Sequence, residues 1–314
     1  MIDPRLQLLI AVSEYGTVTG AGEALQRSPS GVSKQLKELA ADLDITLLER
    51  QGRGVRLTPA GQRLVEHARV MNAQWERALG ETALAATELC GRVDIGAFPT
   101  ALAAIVAPAV VSLRRDHPGL QPRVHELYSG TPLRELETGA IDVGLLVGAA
   151  GRTAAGTRPR QVSVTELATD PIDLLVHRGH RLAGPGPVDL ADAADEDWIT
   201  GRPGQDAFLE LVPAARAAGF VPRVVHHAQE FAATSALVAA GLGVAAVPRL
   251  ATVMPHPDVV RVTLAGPRVP ARTILVAVRA GSEDNPRITV CVAALRAAAA
   301  EALSAGAASR RSTG

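Results

Sequence analysis

The sequence predicts a multidomain chain of mixed α+β and α/β class: a winged helix-turn-helix head, a long linker helix and a two-lobed α/β domain. Three observations carry that expectation. Lys34 and Lys37, the only lysines in the chain, sit one helical turn apart just after Ser28-Pro29, whereas every other basic position among the 32 Lys+Arg is filled by arginine. From Thr58 to about Leu89, apolar residues recur at alternating spacings of four and three. Beyond Gly91, short aliphatic runs alternate with alanine-rich helical segments, as in a doubly wound sheet.

Composition bounds the possibilities. At 314 residues with 47% hydrophobic and 20% charged side chains, the chain has length for two or more domains and material for a large aliphatic core. No charge-free apolar run reaches the roughly 18 residues a membrane helix needs, and the N-terminus lacks a secretory signal pattern. The cytoplasm is the expected location. Cys90 and Cys291 are too few and too far apart for a disulfide framework or a metal site, and read as isolated small core residues. Net charge is zero, so any grip on a polyanion must come from local placement of cations.

The head is read element by element. Leu6, Leu9, Ile10 and Val12, followed by Tyr15-Gly16, predict an amphipathic helix closed by glycine. Thr17 or Thr19 can cap a second helix ending near Leu25, because a hydroxyl there accepts from first-turn amides. Ser28 and Pro29 start a third helix, with Val32, Leu36, Leu39 and Leu43 as its buried stripe and Ser30, Ser33, Lys34 and Lys37 outward. Strand-like pieces on either side of Gln51-Gly52-Arg53-Gly54 predict a wing bearing Arg50, Arg53 and Arg56. Three helices with a short turn before the third place that helix in the DNA major groove. The head holds as many acids as bases, so segregation rather than excess makes the positive face.

These residues resemble the LysR-type transcriptional regulators. The resemblance is carried by Val12, Gly16, Thr17, Thr19, Ala21, Ala24-Leu25, Ser28, Val32-Ser33, Gln35-Leu36, Leu39, Leu47, Glu49-Arg50, Arg56-Leu57-Thr58 and Ala60-Gly61. It implies DNA contacts from Thr17, Thr19, Ser28, Ser30, Gly31, Ser33, Lys34, Lys37, Arg50 and Arg53 on double-stranded DNA with an inverted-repeat site, and RNA polymerase as a candidate partner. Two departures stand out. Pro29-Ser30-Gly31 replaces the family's usual Gln-Pro-Ala, and Gly22 stands where alanine is usual.

Thr58-Pro59 opens the long helix, whose seam is Leu64, Ala68, Met71, Trp75, Ala78, Thr82, Ala85 and Leu89. At 1.5 Å per residue it would reach about 45 Å, which suits pairing with a second copy; the resemblance likewise implies a dimerisation helix and a homodimer or homotetramer. Residues 1–60 are thus the expected head, 61–89 the linker, 90–305 the effector domain and 306–314 a frayed tail. Lobe I is expected over 90–165 and 267–305, and lobe II over 166–266.

The effector domain is also similar to that of LysR regulators, which share their architecture with periplasmic binding proteins. Carrying residues include Ile95-Gly96, Pro99-Thr100, His117-Pro118-Gly119, Gly130-Thr131, His180-Arg181-Leu182-Ala183 and Val238 to Val244 ending in Pro248. Ligands of such sheets sit beyond the strand C-termini. Thr100 with Ala101, Thr131, and Gly201-Arg202 from the other lobe are the expected contacts, and a small anionic or polar molecule is the expected effector, with no cofactor.

Motifs for chemistry are sparse. Gly241 to Ala246 fits a dinucleotide fingerprint but follows a helix and leads into a strand, the reverse of the required order. The adjacent His226-His227 point to opposite faces of a strand, and His177 and His180 lack a third ligand. No nucleophile elbow, zinc-protease or P-loop motif occurs, so neither an enzyme nor a metal site is expected. Two rivals remain: an α/β binding protein or enzyme with an incidental basic head, and an architectural DNA binder indifferent to metabolites.

Overall fold

The computed structural model describes residues 3–51, 54–84, 89–128, 131–149, 152–153, 161–266 and 269–308. Arg53, Ala85, Gly130 and most of the expected tail lie outside these residues.

The head begins with α1 (Pro4–Tyr15), capped by Asp3 and closed by Gly16 in the left-handed region at φ 71°. Then come α2 (Val18–Ala24) and α3 (Pro29–Asp42), capped by the hydroxyls of Thr17 and Ser28. Helix α1 is buried along a nearly continuous run rather than one stripe, since α2, α3 and the next helix all pack around it. Val32, Leu36 and Leu39 are buried in this core, but Leu43 is 45% exposed because it caps α3 beyond the last inward turn. Strands β1 (Leu48–Gln51) and β2 (Gly54–Leu57) pair antiparallel as the wing.

Helix α4 (Pro59–Leu84) follows, its first turn held by the Thr58 hydroxyl accepting from Gly61 N–H at 3.0 Å. Its start belongs to the head, where Val65 and Ala68 are buried. Farther on, one face packs on its own effector domain: Gly80 meets Asn285, and Glu76 pairs with Arg279 at 2.9 Å. The other face carries Met71, Trp75 and Leu79 exposed.

Lobe I contains β3 (Gly91–Ala97), then a helical stretch formed by α5 (Pro99–Ala101), a wide-turn segment at Leu102–Val106 and α6 (Ala107–Asp116). The wide turn precedes Pro108, which has no N–H to give to the preceding turn. Next are β4 (Leu120–Glu126), α7 (Thr131–Thr138), β5 (Val143–Ala149) and the short β6 (Arg152–Thr153). Strand β7 (Val162–His177) runs unbroken through the expected 165/166 lobe boundary and on into lobe II.

Lobe II adds β8 (Val188–Asp189), β9 (Asp197–Thr200), α8 (Asp206–Ala217), β10 (Arg223–His227), α9 (Phe231–Ala239), β11 (Ala245–Pro248) and β12 (Val259–Ala265). The chain returns to lobe I through β13 (Ala271–Arg279) and ends in α10 (Pro286–Ala308). The main sheet has the order β4-β3-β5-β13-β7-β12-β8, with β11 also on β7. Only its β4-β3-β5 and β12-β8 pairings are parallel, so the sheet is mixed rather than wholly parallel.

Helix α10 is long and apolar enough to cross a membrane by length and mean hydropathy (1.5), although one stripe, Ile288, Cys291, Leu295 and Ala299, is buried in the lobe I core. Burial pushes the Cys291 thiol up to about 12. Cys90, expected as a core residue, is exposed at the edge of β3 instead.

Candidate nucleic-acid interface and effector cleft

Helix α3 presents Ser30, Lys34 and Lys37 to solvent, with Gly31 and Ser33 half-buried beside them. Ser28 accepts from Gly31 N–H at 3.1 Å and from the Ser30 hydroxyl at 3.3 Å, so the first turn is pre-formed. Thr17 is engaged in the same way, accepting from Gly20 N–H at 2.9 Å, while Thr19 is exposed on α2. Between α3 and the wing runs a groove of about 620 Å³ that brings together Ser33, Lys37 and Arg50. Lys34 reaches only Glu38, at 3.9 Å and with its side chain 79% exposed, a screened pair that leaves the ammonium available. Arg56 is held by Glu49 at 2.5 Å.

The head is docked on lobe I of its own chain. Arg134 on α7 donates to the carbonyls of Ala24 (2.8 Å) and Glu23 (3.1 Å) at the end of α2. Gln161 donates to Glu14 at 2.7 Å, and Arg69 pairs with the same carboxylate at 3.1 Å. Glu137 faces Glu14 across this seam; burial first, and the neighbouring Glu14 charge second, push its carboxyl up to about 8.

Between the lobes lies a cleft of about 260 Å³. Thr100 and Gly201 border it, from lobe I and lobe II respectively. Ala101 is fully buried behind Thr100, and Thr131 sits half-buried at the start of α7, outside the cleft wall. Arg202, expected to meet an anion, is exposed beyond the cleft, its backbone N–H bonded to Gln205 Oε1 at 2.6 Å. The guanidinium that does border the cleft is Arg272, 7% exposed. Its Nε donates to Asp170 Oδ2 at 3.0 Å, Nη1 is 3.6 Å from Glu210 Oε1, and its plane lies 5.1 Å over the Phe98 ring. Burial raises both Asp170 and Glu210, the latter to about 7, against the pull of Arg272.

Two family models cover the chain: the bacterial regulatory helix-turn-helix protein of the lysR family over residues 4–62, and the LysR substrate binding domain over residues 86–300. The chain belongs to the LysR family of transcriptional regulators. It is 28% identical to the HTH-type transcriptional regulator AlsR of Bacillus subtilis (strain 168), covering 81% of this chain and 83% of that one. Identity to the transcriptional dual regulator GltC of the same organism is 26%, over 78% and 79% of the two chains. Among solved structures, an OxyR mutant of Corynebacterium glutamicum shares the fold with a TM-score of 0.63 at 23% identity, covering 98% of this chain and 95% of that one. Full-length CbnR complexed with its target DNA gives 0.56 at 24%, over 95% and 100%. This LysR protein is therefore a DNA-binding transcriptional regulator with an effector-binding domain, and not an enzyme.

Sequence reasoning missed the charged floor of the cleft, Asp170, Glu210 and Arg272. Each is ordinary in its local segment; the return of β13 alongside β7 sets Arg272 opposite Asp170, and the packing of α8 brings Glu210 to the same guanidinium. The docking residues Arg134 and Gln161 were equally silent, because they bond to the distant α1 and α2. An arginine on the outward side of α7 is the one signal that could have pointed there.

Proposed function

We propose that this LysR regulator acts in the cytoplasm on an inverted-repeat promoter site, as a homodimer or homotetramer, and adjusts transcription by RNA polymerase when a small polar effector enters the cleft between its lobes. The observation that carries the DNA reading is the exposed Ser30, Lys34 and Lys37 face of α3, continuous with the groove to Arg50. Base edges fall to Ser30, Ser33 and Lys34 near the N-terminus of the inserted helix, and phosphates to Thr17, Thr19, Lys37, Arg50 and Arg53. Pairing through α4 is supported by the apolar side chains it leaves uncovered, Met71, Trp75 and Leu79.

Effector and DNA are coupled through the docked head. Since Arg134 ties α2 to lobe I, a ligand that favours one closure of the lobes also shifts the stance of the heads within the oligomer. The shift is limited by the ligand's differential affinity for the two arrangements. Retardation of the regulator's own upstream region, with loss on Lys34→Ala combined with Lys37→Ala, tests the DNA half. No retardation by the wild type at low ionic strength would end this reading.

A further inference from the structure

The cleft is unusual in what lines it. Phe98, Tyr128 and Phe231 gather there, three of the chain's eight aromatic residues. Glu210 and Glu230 face the same space from α8 and the start of α9. Arg272, the one guanidinium among the described residues lining the cleft, is already matched through Nη2 by Asp170 Oδ2 at 2.9 Å, so the remaining carboxyl groups leave the cleft with an acidic excess. An anion entering here would oppose these carboxylates, which argues against the anionic half of the sequence expectation.

Two further observations point to a ligand rather than to a structural ion cluster. Glu210 Oε1, buried at the cleft wall and 3.6 Å from Arg272 Nη1, has no hydrogen-bond partner among the described residues. Buried polar atoms are rarely left this way unless something is missing from the site. The ring of Phe98 also already accepts a cation on one face, the Arg272 guanidinium. Aromatic faces with adjacent carboxylates are the chemistry that holds ammonium groups.

We propose that the effector is a small organic cation: an ammonium group on a short aromatic or apolar body. The ammonium sits between Glu210 and Glu230, and the body lies against Phe98, Tyr128 and Phe231. This inference rests on the reading of the cleft as the effector site.

The test uses the full-length regulator and three probes with one skeleton: phenylethanolamine (cationic), mandelate (anionic) and styrene glycol (neutral). Ligand-observed NMR and calorimetry are expected to show saturable binding of phenylethanolamine in preference to the other two. Glu210→Gln should weaken it by about tenfold, as should Phe231→Ala. Glu230→Gln, at an exposed position with no folding role, gives the same direction should Glu210→Gln fail to fold. Preference for mandelate, tightened by Glu210→Gln and abolished by Phe231→Ala, would overturn the cationic class and leave the cleft reading standing. Phenylethanolamine binding indifferent to all three substitutions would overturn the cleft reading itself. Failure of every probe to bind also overturns the proposal.

Discussion

Gly22 and Pro29 form one packing unit: a Cβ on Gly22 would stand 3.4 Å from the Pro29 nitrogen and 2.8 Å from the Arg27 carbonyl oxygen. The chain turns so closely here that Arg27 N–H bonds to Gly22 O at 2.8 Å, and Gln26 takes a left-handed φ of 52°. The two departures from the family pattern thus meet in space, and the missing methyl makes room for the turn into the helix that Ser28 caps and Pro29 starts. Gly22→Ala should therefore destabilise the head. Helix propensity would favour alanine by up to about 1 kcal/mol, but displacing a backbone carbonyl costs typically about 1–3 kcal/mol. Urea unfolding followed through the head's helical signal measures the balance, and a more stable variant would contradict the packing described.

Lys37 and Lys34 separate by salt dependence. Lys37 borders the groove toward the wing and is assigned to phosphate, so Lys37→Ala should weaken all sequences alike and flatten the log K against log salt slope by about 0.9 per head. Lys34→Ala should instead relax discrimination at one base position, at a cost of about 1–3 kcal/mol for the preferred site. Titrations over a range of salt on specific and scrambled duplexes distinguish the two, and equal slopes for both variants would reverse the assignment.

Elements specified by local chemistry were legible. Ser28-Pro29 announces α3, and the glycines of Gly241-Leu242-Gly243 stop α9 ahead of β11, because caps and left-handed glycines act within a few residues. What depended on distant partners was not. Strand β7 is interrupted in sequence by Thr165, Glu166, Thr169 and Asp170, so no continuous apolar pattern marked it. Asp170 and Asp173 are fully buried within it because Arg272, Arg249 and Arg261 arrive from later strands to pair them. Strand β12 was not legible, since no helix separates it from β13 and the β-α alternation had no place for it. Thr100 was legible as a strand-end hydroxyl, whereas Arg272 became a cleft residue only through that same strand pairing.

Trp75 is the residue on which pairing through α4 should turn. It is 43% exposed beside the Glu76–Arg279 contact, and burying such a ring against a second copy contributes on the order of 2 kcal/mol. Trp75→Glu should shift the sedimenting species toward monomer. Binding to a two-half-site duplex should weaken with it, while binding to a single half-site stays unchanged. An unaltered oligomer would place the subunit interface elsewhere.

Glu137 makes the docking of the head pH-dependent. Burial, then Glu14 opposite it on α1, raise this carboxyl from its ordinary 4.5 to about 8, only partly relieved by Arg69 on α4. Burial first, and the neighbouring Glu137 and Glu14 charges second, raise the Tyr15 phenol on α1. Between these two values the folded chain holds a proton that the unfolded chain has lost, so stability is highest below the lower value and falls as pH rises through the upper one. After solvent screening the loss is on the order of 2 kcal/mol. Glu137→Gln keeps the hydrogen-bonding shape without the charge, so it should be nearly neutral in acid and stabilising in mild alkali. Thermal unfolding of wild type and variant across that range measures it, and parallel pH profiles would show that the carboxyl is not held protonated at the seam. If effector release of the head also requires this seam to open, the same variant should need more ligand for the same change in DNA affinity at alkaline pH, and equal ligand in acid.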